Sequence, residues 1–352
     1  NISMHDFMID LIFGLDATVP LITASSNELD ITNCVFTEIT NTRSLIQSSS
    51  EHSKFSGVRI SQLQSCFMVF DMLGYSVEIE DSTVGNLISS LSVINATNLN
   101  SLILSRNSFH NITAPALFRG GGNLDVSYCS FHACRVSNLF LHSEFSGVAS
   151  FSDSNFTLTN LLPPSAIIEE PPCIISVHFL LTFNQPIGTF AVLDITNCLF
   201  SDNSIAPIRV RNALATIDNC EFNKNGAIHN MIFARNTNFQ VTAVSFYQNS
   251  AYTIIFTQES EISIRDVILE QNSVEEAAID IESTVNQCSI NNLTVTETTG
   301  VPDNLLSFGR SVCTIQSFLS EHNTGKRGSI YSDTSQLTIY NSTIRYDYNG
   351  SL

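Results

Sequence analysis

The sequence repeats one pattern of apolar residues about every two dozen residues, and this repeat restricts the fold more than any other feature. Its clearest copy spans residues 193–203 and has the form L-x-I-x-N-C-x-F-x-x-N. The Phe position recurs at 84, 109, 131, 156, 200, 222, 246, 269, 295, 320 and 344, with neighbouring copies 22 to 26 residues apart and one gap of 44. A repeat of this length indicates a solenoid, in which each unit buries its apolar face only against its neighbours.

The spacing within one copy predicts short β-strands joined by corners. Leu193 and Ile195 alternate with polar residues, which is the period of a strand. After Asn197 the apolar phase shifts by one residue, and Asn tolerates the left-handed backbone that a sharp bend requires. A small-small-apolar motif, as at 206–208, then starts a third strand.

Three short strands per repeat predict an all-β fold. We expect a right-handed, single-stranded parallel β-helix of pectin-lyase-like architecture, with roughly 14 coils of 22–26 residues. A leucine-rich repeat has a similar period, but each of its units requires a helical or 3₁₀ segment, and helix periodicity is missing here.

We expect residues 1–352 to form a single β-helix domain with two interruptions. The polar stretch at 43–57 predicts a loop, and the segment 161–188, which holds five of the nine prolines, predicts an excursion that could bind a partner. Residues 4–15 fit either a capping helix or an incomplete first coil. The last copy, at 337–349, is still in register, so we expect the chain to be a fragment of a longer protein.

Stacked coils turn equivalent positions into ladders, and side-chain amides in a ladder can hydrogen-bond along the axis. One predicted ladder consists of Asn203, Asn225, Asn249 and Asn272. A second begins with Asn197 and Asn219 and continues through Asp266, Asn292 and Asn341. We interpret both ladders as structural.

Two pairs of cysteines share a column in successive coils, namely Cys198 with Cys220 and Cys288 with Cys313. Each pair could form a disulfide, but we favour stacked buried thiols. No C-x-x-C pair occurs among the nine cysteines, so we expect no structural zinc site, and no other metal or cofactor is predicted. His110 and His132 also share a column and could together hold a metal ion, but we interpret the pair as a coincidence on the surface.

Sequons for N-glycosylation are about as frequent as chance allows, so they permit a secreted glycoprotein without arguing for one. The candidate glycosylation sites inside the repeats are Asn95, Asn111, Asn155, Asn292 and Asn341; two more sequons lie at Asn1 and Asn349.

The composition and the missing motifs argue against several classes of function. With 15 basic and 33 acidic residues the formal charge is −18, which argues against nucleic acid and against anionic membrane surfaces as partners. No apolar run is long enough to insert into a membrane. The motifs of β-helical pectin-degrading enzymes (N-T-D, D-D, G-H-G and R-I-K) are missing, only three lysines are present, and Trp is absent. We therefore predict no catalytic residues.

The pairing of F-x-x-N with a small-small-apolar motif resembles the repeats of chlamydial polymorphic outer-membrane proteins and of their counterparts in protists. The matches are at 200–208, 222–228 and 246–249, with a variant at 269–279, whereas the G-G-A-[IL] form of that family is nowhere intact. The resemblance implies a surface-displayed or extracellular β-helix used for adhesion or assembly, and it transfers no catalytic residue.

We expect a non-enzymatic extracellular or cell-surface structural protein that mediates self-assembly or binds protein partners, with carbohydrate as a further candidate ligand. One alternative is a polysaccharide lyase or glycoside hydrolase of the β-helix class. Another is an intracellular structural scaffold. Three or more carboxylates in one groove, or carboxylates with an Arg, would favour the enzyme, and a smooth face of Asn, Ser and Thr would favour the structural protein.

Overall fold

Short parallel strands follow one another along the chain, and each pairs with the equivalent strand about one repeat away. The computed structural model describes residues 1–12, 18–64, 66–96, 99–143, 147–161, 173–178, 191–284, 288–300, 304–325, 328–345 and 348–349, and over these ranges the chain forms no helix. The chain divides into two compact units, Asn1–Ala191 and Val192–Leu352. The predicted parallel β-helix is confirmed, with about 12 turns. The repeat length predicts roughly 14 coils, which is a minor difference.

The first unit contains the strands β1 to β20. Their bounds are β1 Ile2–His5, β2 Met8–Ile12, β3 Ile22–Ala24, β4 Glu28–Thr32, β5 Val35–Ile39, β6 Ser44–Ser48, β7 His52–Ser56, β8 Arg59–Ser61, β9 Cys66–Met72, β10 Ser76–Glu80, β11 Thr83–Ala96, β12 Ser101–Ser105, β13 Ser108–Gly120, β14 Asn123–Ser127, β15 Ser130–His132, β16 Arg135–Ser143, β17 Val148–Ser152, β18 Asn155–Thr157, β19 Asn160–Leu161 and β20 Cys173–His178.

The second unit contains the strands β21 to β40. The first of them, β21, starts one residue before the unit. Their bounds are β21 Ala191–Thr196, β22 Leu199–Ser201, β23 Ala206–Arg211, β24 Ala213–Asp218, β25 Glu221–Asn223, β26 Asn230–Arg235, β27 Asn238–Thr242, β28 Ser245–Tyr247, β29 Ser250–Gln258, β30 Glu261–Glu270, β31 Ser273–Glu282, β32 Cys288–Thr296, β33 Thr299–Gly300, β34 Asn304–Gly309, β35 Val312–Glu321, β36 Thr324–Gly325, β37 Gly328–Asp333, β38 Gln336–Tyr340, β39 Thr343–Arg345 and β40 Tyr348–Asn349.

Each coil turns at residues with left-handed backbone angles. In the coil of β24, β25 and β26 the corners are Asn219, Lys224 and Asn236, with φ of 49°, 53° and 52°. The predicted Asn corner is confirmed, since Asn197 has φ of 54°. The other two corners are also left-handed but accept Lys, Asp, Gln or Glu, so no single residue type announces them in the sequence.

The predicted Phe column forms the core of both units. In the second unit the rings of Phe200, Phe222 and Phe246 stack with centroids 4.8 and 4.7 Å apart. In the first unit Phe131 stacks between Phe109 and Phe156 in the same way, at 5.1 and 5.0 Å. Every one of these rings is buried, as expected for coils that are stable only when stacked.

The predicted polar loop at 43–57 is wrong, because β6 and β7 both lie inside it. β7 alternates, with His52 and Lys54 outside and Ser53 and Phe55 buried. The Ser53 hydroxyl hydrogen-bonds that of Ser48 at 3.0 Å, which allows a polar residue to take an inward position. A strand whose outer residues are all polar resembles a loop in composition, but its alternation shows that it is a strand.

Three further expectations can be compared with the structure. Residues 4–12 belong to a first coil, not a helix, because β1 pairs with β4 and β2 with β5. Within the predicted excursion at 161–188, β20 forms with Cys173 buried, and residues 162–172 and 179–190 lie outside the described residues. The small-small-apolar motif at 226–228 starts no strand: β26 begins at Asn230, and Ile228 is 74% exposed.

Candidate functional site

The outward side chains of β24, β27, β30, β32, β35 and β38 form a continuous surface on the second unit, which we call the polar face. One column of the polar face, in register from strand to strand, contains Thr216, Gln240, Ser263, Ser289, Thr314 and Thr338. The adjacent column contains Asp218, Thr242, Arg265, Asn291, Gln316 and Tyr340. Strand alternation places Ile217 and its equivalents inward, which leaves these residues outside.

A shallow depression of about 350 Å³ lies at the centre of the polar face. It is lined by Gln240, Thr242, Ser263, Ile264, Arg265, Ser289 and Asn291. The charge of Arg265 is partly compensated, because its Nε lies 3.7 Å from a carboxylate oxygen of Asp266. The depression therefore presents mainly hydroxyl and amide groups, each of which can donate or accept a hydrogen bond.

This chemistry suits binding better than bond cleavage. Acid–base catalysis requires a titratable side chain positioned at the reacting group. Hydroxyl and amide groups do not titrate near neutral pH and serve instead to fix a partner in one orientation. Asp194, on the neighbouring strand β21, has a pKa raised by burial and, to a smaller degree, by the nearby charge of Asp218.

A second cluster lies on the outward side of β23, β26, β29 and β31, where a row of aromatic rings follows two arginines. Phe233 and Phe256 stack with centroids 5.6 Å apart. The guanidinium carbons of Arg209 and Arg211 lie 5.7 and 5.3 Å from the centre of the Phe233 ring. The register places these arginines and Phe256 on opposite sides of Phe233, so both faces of that ring are covered. A sugar needs an open ring face on which to stack, and Phe233 does not provide one.

Asp280 follows Phe256 in the same column and is only 5% exposed. Burial raises the pKa of this carboxyl from 3.8 to about 6; a hydrogen bond with Ser307 opposes the rise, and the charges of Glu276 and Glu282 add to it. A carboxyl with this pKa could serve as a general acid in a glycosidase. Asp280 lacks the access that such a role requires, because it is enclosed between the neighbouring coils.

The first predicted Asn ladder is confirmed in the interior of the second unit. The amide nitrogens of Asn203, Asn225 and Asn249 donate to the carbonyl oxygen of the next Asn at 2.8, 3.0 and 3.1 Å. Asn272, the last member, donates to the backbone carbonyl of Phe246 at 3.0 Å. The ladder therefore satisfies both side-chain and backbone groups at a buried corner.

The predicted second ladder is not continuous. Asn219 donates to Asn197 at 2.7 Å, and Asn292 donates to Asp266 at 2.7 Å, both on the exposed surface. Ala243 occupies the same corner between these two pairs and has no amide to continue the ladder. Ser317 holds the equivalent position between Asn292 and Asn341 and is too short to do so.

A buried polar ladder in the first unit has no counterpart among the predicted sites. Asp71 is almost fully buried, and its two carboxylate oxygens accept from Gln47 at 3.1 Å and from Asn95 at 2.9 Å. The three residues share one column of β6, β9 and β11. Only the repeat spacing could have indicated this ladder, because three different residue types form it.

Of the two predicted cysteine pairs, one is a disulfide. Cys288 and Cys313 are register partners on β32 and β35 and are joined, with Cα atoms 4.5 Å apart. Cys198 and Cys220 are stacked thiols, and the backbone N–H of Cys198 donates to the Cys220 sulfur at 3.4 Å. The prediction of stacked thiols is therefore wrong for Cys288 and Cys313 and agrees with the structure for Cys198 and Cys220.

The sequons differ in how their amide nitrogens are used. Asn155 is exposed at the start of β18, and Asn341 is exposed at a corner. Asn111 is also exposed, but its amide nitrogen donates to Asn86 at 3.0 Å, much as that of Asn292 donates to Asp266. Asn95 is half-buried and holds Asp71. Asn155 and Asn341 are therefore the best placed of the five to carry a glycan.

His110 and His132 are register partners, as their spacing implies, and the His132 ring hydrogen-bonds Thr157 at 3.0 Å. In the described part of the chain no three His, Cys, Asp or Glu side chains are grouped so as to hold a metal ion. The same residues include no helix of a length and hydrophobicity that could cross a membrane. Comparison of the chain with protein-family models, with curated proteins and with solved structures found no match.

Proposed function

We propose that this chain is a non-enzymatic extracellular or cell-surface structural protein that binds protein partners through the polar face. The observation that carries the proposal is the first register column of the polar face, in which hydroxyl and amide side chains repeat over six strands. Hydrogen-bonding groups at a constant spacing on a stiff sheet suit recognition of an extended partner, because little side-chain freedom is lost on binding.

An extracellular location is supported by the cysteines and the sequons. Structural disulfides persist in oxidising compartments, and Cys288–Cys313 joins successive coils. Asn155 and Asn341 expose their side chains where a glycan would meet solvent. The F-x-x-N repeats, which resemble those of surface-displayed proteins, point in the same direction.

A carbohydrate-active enzyme is the second candidate, and it is favoured by one observation, the raised pKa of Asp280 beside Glu282 and near an arginine-containing row. The burial of Asp280 and the covered faces of Phe233 weigh against it. The third candidate, an intracellular scaffold, would need neither the disulfide nor a glycan.

A peptide map of the natively purified protein, made without reduction, tests the proposal. We expect one linked peptide pair that joins Cys288 to Cys313, together with glycans on Asn155 and Asn341. A map with reduced Cys288 and Cys313 and bare sequons would overturn the extracellular assignment and favour the scaffold.

The enzyme alternative has its own test, in which the purified chain is incubated with acidic and neutral polysaccharides and the release of reducing ends and of unsaturated products is measured. The proposal predicts release no greater than that of a heat-inactivated sample. Release that disappears in both the Asp280→Asn and Glu282→Gln variants would show that the second cluster is catalytic.

A further inference from the structure

Two pairs of strands, one in each unit, have a free edge. Among the described strands, β1 and β2 have register partners on one side, in β4 and β5, and we call this pair the N-terminal edge. In the same part of the chain, β38 and β39 have register partners on one side, in β35, and we call this pair the C-terminal edge. The other side of such a strand presents free N–H and C=O groups, which are a template for a further strand.

The exposed apolar residues of both edges occupy inward positions. On the C-terminal edge Ile339 is 44% exposed, although its register partner Ile315 is fully buried. On the N-terminal edge Ile2 is 38% exposed, although its register partner Leu29 is 1% exposed. Both edges therefore expose core columns that a further coil would bury.

The two edges have the same internal spacing. Each contains two inward residues, then a left-handed corner, then a third inward residue. The corners are Asn341 and Asp6, with φ of 52° and 51°. When the corners are aligned, the inward residues coincide in three pairs, namely Leu337 with Ile2, Ile339 with Met4 and Ile344 with Ile9.

We propose that the C-terminal edge of one copy of this chain binds the N-terminal edge of a second copy. β38 then pairs in parallel with β1 of the second copy, and β39 pairs with β2, as successive coils do within each unit. The apolar columns continue across the contact, and Phe7, which is 41% exposed, meets the short Ser342. The contact is head-to-tail, so each pair of copies keeps a free edge at either side and association proceeds beyond a dimer.

Charge complementarity between the two edges favours a second copy as the occupant. With the corners aligned, the exposed Arg345 lies opposite the exposed Asp10 of the second copy. Arg345 binds Glu321 of the preceding coil at 2.6 Å, so in the contact a carboxylate flanks it on each side. The four strands of the two edges carry no other Asp, Glu, Lys or Arg, so no like charges meet there.

A contact between two like edges lacks this complementarity. Two N-terminal edges contain no Lys or Arg that could pair with Asp6 and Asp10, and two C-terminal edges offer Arg345 no further carboxylate. Like edges can also meet only with their strands reversed, which takes the apolar columns out of register. Because the chain carries a net charge of −18, association without such pairing is opposed by repulsion.

Sedimentation of the full chain over a range of concentrations measures the association. Two short strands on each side make a small contact, so we expect reversible growth with a dissociation constant on the order of 10–100 µM. Met4→Asp and Ile339→Asp each place a carboxylate in the apolar contact and should leave the chain monomeric. The control is Ile268→Asp, because Ile268 is 47% exposed on β30, which has a paired strand on both sides. Circular dichroism and the thermal midpoint establish that each variant is folded.

A mixture of the two edge variants tests the head-to-tail arrangement. Met4→Asp keeps its C-terminal edge and Ile339→Asp keeps its N-terminal edge, so the equimolar mixture should form dimers and nothing larger. Association of either variant alone to the extent of the wild type would overturn the proposal. A mixture that stays monomeric where the wild type associates would also overturn it.

The charged pair provides a test that does not depend on the apolar variants. Asp10→Arg alone and Arg345→Glu alone should each raise the dissociation constant about fivefold or more, and the double variant that exchanges the two charges should restore most of the loss. A double variant as weak as either single variant would contradict the register of the contact. A wild-type chain that is monomeric up to about 0.5 mM would overturn the proposal and leave the two edges to a different occupant. These results would leave the proposed function standing, because the polar face takes no part in the contact.

Discussion

The side-chain amide of Asn225 donates to the side-chain carbonyl of Asn249 at 3.0 Å, and the same carbonyl accepts the backbone N–H of Asn225 at 2.9 Å. Asn249 also donates to the backbone carbonyl of Phe222 at 2.9 Å. Asn249→Ala leaves all of these buried groups without their partner, so we expect it to lower the free energy of unfolding by about 3 kcal/mol. The measurement is a urea titration followed by circular dichroism.

Gln248→Ala is the matched control for this variant. Gln248 is the adjacent residue, and its amide donates to Gln271 at 3.0 Å on the exposed surface, where water can replace the lost bond. We expect a change below about 1 kcal/mol. Equal losses for the two variants would show that the interior ladder contributes no more than a surface one.

Phe222 stacks against a ring on each side, and all three rings are buried. Phe222→Ala opens a cavity between neighbours that cannot collapse without breaking the stack, so we expect a loss of about 3–5 kcal/mol in the free energy of unfolding. Ile228→Ala, in the same coil, should change it by less than about 0.5 kcal/mol, since Ile228 is largely exposed. A large effect at Ile228 would mean that a partner or another segment covers it.

The raised pKa of Asp280 makes stability depend on pH. Between pH 4 and 6 the folded protein holds this proton and the unfolded chain releases it, so the folded state binds more protons and stability falls as pH rises. The decrease attributable to Asp280 is at most roughly 3 kcal/mol and is complete above its folded pKa of about 6. The Asp280→Asn variant should lack this component of the pH dependence when unfolding is measured from pH 4 to 7.5. The control is Asp125→Asn, because Asp125 lies at an exposed strand position. If the wild type and the Asp280→Asn variant had the same pH profile of stability, the raised pKa of Asp280 would be contradicted.

The disulfide closes a segment of 25 residues between successive coils. Restricting an unfolded loop of this size stabilises the folded state by about 3 kcal/mol, so the Cys288→Ser/Cys313→Ser double variant should unfold at lower urea. Alkylation of the denatured, unreduced protein should modify the other seven cysteines and leave this pair unmodified. Alkylation of all nine would contradict the pairing.

The repeat predicted the fold and its columns because one coil determines where every other coil places its side chains. The Phe column is in register even where the residue is Ser320, which pairs with Val295. The corner at Asn197 was predicted because a shift of apolar phase and a tolerant residue coincide there, whereas the corner at Lys224 gave no such signal. The strand at 52–56 has the composition of a loop, because its outward residues are polar, and only its alternation indicates a strand.

Side-chain contacts between coils that carry different residue types at one position could not be predicted. Gln47, Asp71 and Asn95 form a ladder through three residue types. The sequence indicates only that a face of Asn, Ser and Thr would favour a structural protein. The position of the polar face could not be predicted, because its columns combine Thr, Gln and Ser without a motif. Whether a stacked cysteine pair is joined depends on backbone distances that the sequence does not contain.

Paired cysteines test the in-register columns of the polar face directly. Thr216 and Gln240 are register partners, as Cys288 and Cys313 are, so Thr216→Cys/Gln240→Cys should form a disulfide readily under a mild oxidant. The pair Thr216→Cys/Thr242→Cys is displaced by two residues and should oxidise far more slowly. Equal rates, or faster oxidation of the displaced pair, would contradict the register and with it the polar face.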